Sequence, residues 1–300
     1  MRFKSILLKQ LNRVSPLPSH PFNNGDYGMW QFERGSLTIQ NYAPCATSEE
    51  MFYRKKVLDV GCGAGGKAVY YASLGAEKVI GIDIVKKYKN AEIEAETVKV
   101  KNISAEDFKA NLNLNEKMLL DVKNFEFIVC DATNTIFANE SFDTIILNDS
   151  MEHVQQPAQM LAEMQRILRP NGRIYINFPP YYHPYGAHVS DAIGIPWVHL
   201  FFSEETLVQA YKDIVNKRPD GQERIRFRID SDADGKEYFS YINKMTIKRF
   251  QEILSSQKLS LVYYKELPLR SWLRFLCHGF IKEYMTRTVV AVLEKRNDIA

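Results

Sequence analysis

The chain predicts an α/β fold, a mostly parallel sheet with helices on both faces, on three observations. Apolar runs of strand length alternate with helical stretches between Val57 and Phe178, which is the rhythm of right-handed βαβ units. The first run passes into alternate glycines and then a helix. Four runs end on polar, acidic or glycine-rich residues, at 59–65, Asp83, Asp131 and 148–153. Ligands of such sheets lie outside the carboxyl ends of the strands.

Three hundred residues allow a substantial core, and 45% apolar with 25% charged residues describes an ordinary globular chain. A net charge of +3 makes no field of the kind that recruits nucleic acid. No apolar stretch approaches membrane-spanning length, so no integral membrane association is expected. Cys45, Cys62, Cys130 and Cys277 form no C-x-x-C pair, which argues against a zinc site or a disulfide scaffold. The apolar run at the start is too short for a signal peptide, and cytoplasmic residence is the expectation.

Residues 1–52 precede the first strand. Through Arg13 they read as a short basic amphipathic helix packed on the domain. Pro16, Pro18, Pro21, Asn23, Asn24, Gly25 and Gly28 then break regular structure, with Tyr27, Trp30, Phe32 and Tyr42 pinning the segment to the core. Residues 57–60 form a buried strand. Gly61, Gly63 and Gly65 turn the chain into a helix over 66–74 that stops at Gly75. Such a unit leaves backbone N–H groups pointing at one spot. A second strand, 78–82, ends on Asp83, placed to accept hydrogen bonds from ribose hydroxyls.

Two helices, 91–100 and 105–120, fit the polar connection that follows. Ser104 caps the second, with Asp107 in the capping-box position. The third strand, 125–130, ends on Asp131. The fourth, 141–148, runs into Asp149 and His153. Met160, Leu161, Met164, Ile167 and Leu168 share one helix face, and Pro170 with Asn171-Gly172 stops that helix. Residues 172–178 are the fifth strand. The stretch 179–243 is too long for a connection and reads as an insertion. Within it Ser203 caps a helix to 216, and 220–221 and 230–235 are turns. Thr246 caps a helix to 255. The last strands are 259–264 and 288–293. Between them, 269–284 reads as an aromatic, basic helix: a core helix first, a homodimer face second, a membrane-surface patch third.

The run Asp59-Val60-Gly61-Cys62-Gly63-Ala64-Gly65 departs from the G-x-G-x-x-G spacing of dinucleotide binders. It resembles motif I of the class I S-adenosylmethionine-dependent methyltransferases, type-11-like. Phe142-Asp143 through Arg169-Pro170-Asn171-Gly172 resembles the same family. The resemblance implies a Rossmann-like, seven-stranded sheet whose last strand is antiparallel, with S-adenosyl-L-methionine as cofactor. It implies that Asp59, Gly61, Cys62, Gly63 and Gly65 hold the methionine part, Asp83 the ribose, and Asp131 with Ala132 the adenine. Ile84, Asn148 and Asp149 complete that site. It further implies a lid in residues 1–52 and a methyltransferase domain at 53–300, with the insertion 179–243 binding substrate.

The expected reaction is methyl transfer to a small-molecule acceptor, an oxygen nucleophile, because the insertion is aromatic and charge-balanced. An alcohol acceptor needs a base. Histidine titrates near neutrality, and His188, set between glycine and aromatics, leads the candidates, ahead of His153 and Asp191. His199 lies in an apolar run and packs there. His183, His188, Asp191 and His199 include ligand types, but their spacing is not diagnostic and no metal is expected. Two rivals stand beside this reading: a nucleoside-binding regulatory protein on the same fold, and an NAD-dependent enzyme that the glycine spacing disfavours.

Overall fold

The computed structural model describes residues 2–15, 24–84 and 124–296. The helices expected over 91–100 and 105–120, with their Ser104 cap, lie outside the described residues. So do Pro16, Pro18, Pro21 and Asn23. The strands are β1 (Lys56–Val60), β2 (Lys78–Asp83), β3 (Phe125–Val129), β4 (Phe142–Asn148), β5 (Leu168–Phe178), β6 (Ile229–Ser231), β7 (Glu237–Phe239), β8 (Ser260–Pro268) and β9 (Thr286–Glu294). The helices are α1 (Arg2–Arg13), α2 (Asn24–Glu33), α3 (Gly35–Gln40), α4 (Ser48–Phe52), α5 (Gly66–Ser73), α6 (Pro157–Ile167), α7 (Val198–Phe201), α8 (Glu204–Val215), α9 (Gly221–Arg228), α10 (Ile247–Ser255) and α11 (Lys282–Met285). Among the described residues no helix is long and apolar enough to cross a membrane.

Seven strands form one sheet in the order β3-β2-β1-β4-β5-β9-β8. The pairs from β3 to β5 are parallel and β9 runs antiparallel to β5, so the expected fold is the observed one. Strand order reverses between β1 and β4, which opens a crevice at their carboxyl ends. The central strands are apolar nearly throughout: Val57, Leu58 and Val60 in β1, and Ile145, Ile146 and Leu147 in β4, are all buried. That is the pattern of parallel strands covered on both faces. Helix α6 starts with Pro157 at its first position and buries Met160, Leu161, Met164 and Ile167. Leu168, expected on that face, instead leaves the helix in extended conformation and opens β5. The register against β4 then shifts between Phe142 and Thr144, a bulge that absorbs Arg169 to Gly172.

Regular structure replaces the break expected near Gly28. A Cβ on Gly66 would collide with the Gly28 carbonyl oxygen, so α2 and α5 meet backbone to backbone. The buried Gln31 side chain accepts the Gly66 N–H at 3.2 Å. This close packing outweighs the poor helix propensity of glycine.

The chain divides into two compact units. The sheet unit comprises Pro21–Phe178, Phe250–Leu267 and Val289–Ala300. The insertion unit comprises Met1–His20, Pro179–Arg249 and Pro268–Thr288, around a core that includes Leu8, Val198, Leu207 and Tyr211. Helix α1 is tied into the insertion unit by Lys9 to Asp213 at 2.5 Å and by Asn12, which bonds the Ala192 carbonyl and the Gly194 N–H. The expected turn at 220–221 opens α9, and 230–235 turns the β6–β7 hairpin. The stretch 269–284 is not the expected continuous helix. It makes tight turns at Ser271–Leu276 and Gly279–Ile281 before α11. Gly279, at φ 57°, cannot continue a right-handed helix. Trp272, Phe275 and Phe280 are exposed, which overturns the core reading.

Candidate active site

The crevice is built on the turn after β1. Gly61 takes φ 72° and Gly65 takes φ 85°. A Cβ on Gly61 would strike the Ser150 hydroxyl, which donates to the Val60 carbonyl at 2.6 Å. One part of the sequence expectation fails here. The N–H groups of Gly61 and Cys62 donate to the Ile82 carbonyl at 2.8 and 3.1 Å, and that of Gly65 to the Cys62 carbonyl at 2.9 Å. Gly63 donates to Asp83 Oδ2 at 2.7 Å, and Gly66 to Gln31. These donors are engaged within the protein. The loop offers close-packed backbone rather than an anion cradle, and so does not suit a pyrophosphate.

Acids surround that loop. Asp59 is buried, and its Oδ2 has no hydrogen-bond partner. Burial pushes its pKa up to about 7; Lys67 pulls it down and Asp83 pushes it further up. Burial also raises Asp83 at the end of β2, against the N–H groups of Gly63 and Ile84. A carboxylate has about four acceptor positions, so Asp83 retains capacity for further donors. Ile84 beside it is exposed. The buried Cys62 thiol is pushed up by burial and then by Asp83 and Asp59, which keeps it neutral. Asp131 Oδ1 accepts the N–H and the hydroxyl of Thr133, both at 2.8 Å, an Asx-turn that fixes its side chain next to the buried Ala132.

The exit of β4 carries the densest polar network. Asn148 Nδ2 donates to Asp149 Oδ2 at 3.0 Å. Asn148 Oδ1 accepts from Asn177 Nδ2 at 2.7 Å, and Asn177 Nδ2 also donates to the Tyr42 hydroxyl at 3.1 Å. Asp149 takes φ 52° and exposes its carboxylate. The Lys67 ammonium, largely buried, lies 3.5 Å from Asp149 Oδ2. Glu152 is buried; its pKa is raised well above the ordinary value by burial and then by Asp149, and lowered by Lys67. His153 Nε2 lies 3.7 Å from Glu152 Oε1. Asp59, Asp149 and Glu152 thus share Lys67 as a counter-charge. An acid surplus with an orphaned buried oxygen fits a ligand that carries cationic groups.

The other expected residues belong to the insertion unit. His188 takes φ 52°; its carbonyl accepts Arg228 Nη1 at 2.5 Å, and its ring lies 6.2 Å from that of Tyr241. Asp191 is buried, and its Oδ2 accepts the Tyr211 hydroxyl and Arg224 Nη1, each at 2.8 Å, with Arg228 at 3.6 Å. Two guanidinium groups and a hydroxyl on one oxygen are the contacts of a loop anchor. Burial lowers His183 and His199 to about 4, so both are neutral near pH 7. The His199 ring packs 4.8 Å from that of Tyr181.

Sequence reasoning missed Lys67, Ser150, Glu152 and the Tyr42–Asn177 pair. Lys67 left a signal: a cation in the first turn of a helix opposes the helix dipole, so it needs acids nearby. Tyr42 and Asn177 left none, because 135 residues separate them.

Residues 58–176 match the family model described as a methyltransferase domain. Methyltransferase GfsG of Streptomyces halstedii is 29% identical over 51% of this chain and 50% of its own length. The chloroplastic tocopherol O-methyltransferase of Arabidopsis thaliana is 33% identical over 45% of this chain and 33% of its own length. The chain therefore spans half of the first relative and a third of the second. A solved structure from Listeria monocytogenes, described as an S-adenosylmethionine-dependent methyltransferase, shares the fold with a TM-score of 0.50 at 12% identity. That likeness covers 88% of this chain and 99% of the other.

Proposed function

Residues 58–176 belong to the class I S-adenosylmethionine-dependent methyltransferases, and we propose on that premise that the chain methylates an oxygen nucleophile on a small-molecule acceptor. Bound S-adenosyl-L-methionine supplies an electrophilic methyl group on a sulfonium. The observation that carries the reading is Asp59, a buried carboxylate with an unpartnered oxygen, set among Asp83, Asp149 and Glu152. Acids in a low-dielectric crevice attract a cationic ligand more strongly than they would in water. A dinucleotide would instead need the loop N–H groups that are already engaged. In this reading Asp59 faces the methionine part across Gly61, Cys62, Gly63 and Gly65. Asp83 with Ile84 takes the ribose, Asp131 with Ala132 the adenine edge, and Asn148 with Asp149 closes the strand-four side.

Methyl transfer is a direct displacement, so the protein contributes chiefly proximity and orientation. A hydroxyl acceptor also needs a base. What supports His153 is its place at the exit of β4, with its Nε2 3.7 Å from Glu152 Oε1, a neighbour that can orient the ring; His188 is the second candidate. Asp191 is assigned to loop anchoring. Acceptor recognition is assigned to the insertion 179–243 and covering of the site to residues 1–52, the two parts outside the repeating βαβ pattern.

Calorimetry with S-adenosylhomocysteine and with NAD tests the cofactor assignment: binding of the first alone is expected, and an empty titration sinks it. Matched hydroxyl and amine acceptors test the nucleophile. His153→Ala and His188→Ala are each expected to leave S-adenosylhomocysteine affinity unchanged. The true base is the one whose loss lowers kcat by at least about a hundredfold. Faster turnover on the amine series would refute the oxygen assignment.

A further inference from the structure

We propose that residues 269–282 of the insertion unit form a docking surface for an anionic lipid bilayer. Trp272 is 71% exposed, Phe275 65% and Phe280 83%. Trp272 and Phe275 stand three residues apart in the tight-turn helix Ser271–Leu276, where side chains at that spacing eclipse and share one side. None of residues 271–281 is buried.

The charge is one-sided. Between Leu269 and Thr288 stand Arg270, Arg274, Lys282 and Arg287 against a single acid, Glu283. That acid is engaged: its two oxygens accept the N–H groups of Ile247 and Lys248 at the start of α10, each at 3.0 Å. In the same unit α1 repeats the composition. Ile6, Leu7 and Leu11 are exposed, Lys4 and Arg13 flank them, and the helix has no acid.

Charge complementarity selects the occupant. A two-fold contact between copies sets the same patch against itself, which here means cations against cations. Exposed aromatic side chains interleaved in sequence with Arg270, Arg274 and Lys282 match the boundary between acyl chains and anionic headgroups. The proposal does not depend on the methyl-transfer reading, since docking needs neither cofactor nor acceptor.

The test is co-sedimentation of the full chain with vesicles of phosphatidylcholine plus phosphatidylglycerol, against phosphatidylcholine alone. Binding to the anionic vesicles, weakened by salt, is expected. The double variant Phe275→Ser/Phe280→Ser should bind them at least about tenfold more weakly, with circular dichroism and S-adenosylhomocysteine affinity unchanged. Trp272→Phe should keep binding but lose quenching by brominated acyl chains. Equal partition to both vesicle types overturns the proposal, as do serine variants that bind like the parent. So does dimerisation, or retention by a soluble polyanion without vesicle binding, that the same variants abolish.

Discussion

A buried carboxylate is normally paired, and an unpaired one resists ionisation until something charged arrives. Asp59 is in that position, with a pKa of about 7 in the folded chain against about 3.9 in an unfolded one. The folded state therefore binds more protons than the unfolded state between those values. Stability falls as pH rises through that window and is flat above it. A cationic ligand reverses the preference, because it favours the ionised form. Affinity for S-adenosylmethionine should rise as pH passes upward through about 7, and binding below that value should release a proton. Calorimetry in buffers of different ionisation enthalpy reads the proton directly. Asp59→Asn should weaken binding and flatten its pH dependence. A variant that keeps the parent's pH profile would remove Asp59 from the cofactor's surroundings.

Elements rather than side chains decide where those acids stand, and the strands were the easiest part to read. β1 to β4 are largely buried, so each is an apolar run closed by a glycine or an acid, and both boundary and role lie in the local sequence. The strand-end acids were legible for the same reason. Helix α2 was not, because Gly28 argues against a helix locally and makes one only by letting Gly66 come close. The stretch 269–284 misled in the opposite direction: its composition suits a helix, while Gly279 at positive φ interrupts it. Lys67 and Glu152 escaped because their meaning comes from strands β1 and β4 lying side by side, a contact that no local window contains. The α2–α5 approach is testable. Gly66→Ala forces a methyl into the Gly28 carbonyl, and overpacking of this kind costs about 1–3 kcal/mol. A lowered Tm is expected, with S-adenosylhomocysteine affinity lowered in step because the glycine turn rests on α5. An unchanged Tm would mean that α2 does not pack against the start of α5.

Across the molecule, each unit buries an aspartate with one oxygen unpartnered, Asp59 Oδ2 and Asp191 Oδ1, and the two differ in the charges set around them. The sheet unit sets Asp59 beside Asp83, with Lys67 as counter-charge, where a ligand is expected. The insertion unit sets Asp191 against Arg224, Arg228 and the Tyr211 hydroxyl, all of which meet Oδ2. Arg228 also lies 4.7 Å from the centre of the Tyr241 ring and 5.8 Å from that of Tyr211. Removing one charge from such a set strands the others, at a cost of about 3–5 kcal/mol. Asp191→Asn keeps the shape and deletes only the charge. It should therefore speed amide hydrogen exchange within 188–239, while leaving exchange at 57–66 and 145–150 unchanged. S-adenosylhomocysteine should do the converse, slowing exchange at the strand ends of the sheet unit. If Asp191 instead takes a proton during turnover, Asp191→Asn will keep the parent's exchange pattern and abolish activity. Slower turnover matched by faster exchange in 188–239 identifies it as the anchor of the loop that carries His188.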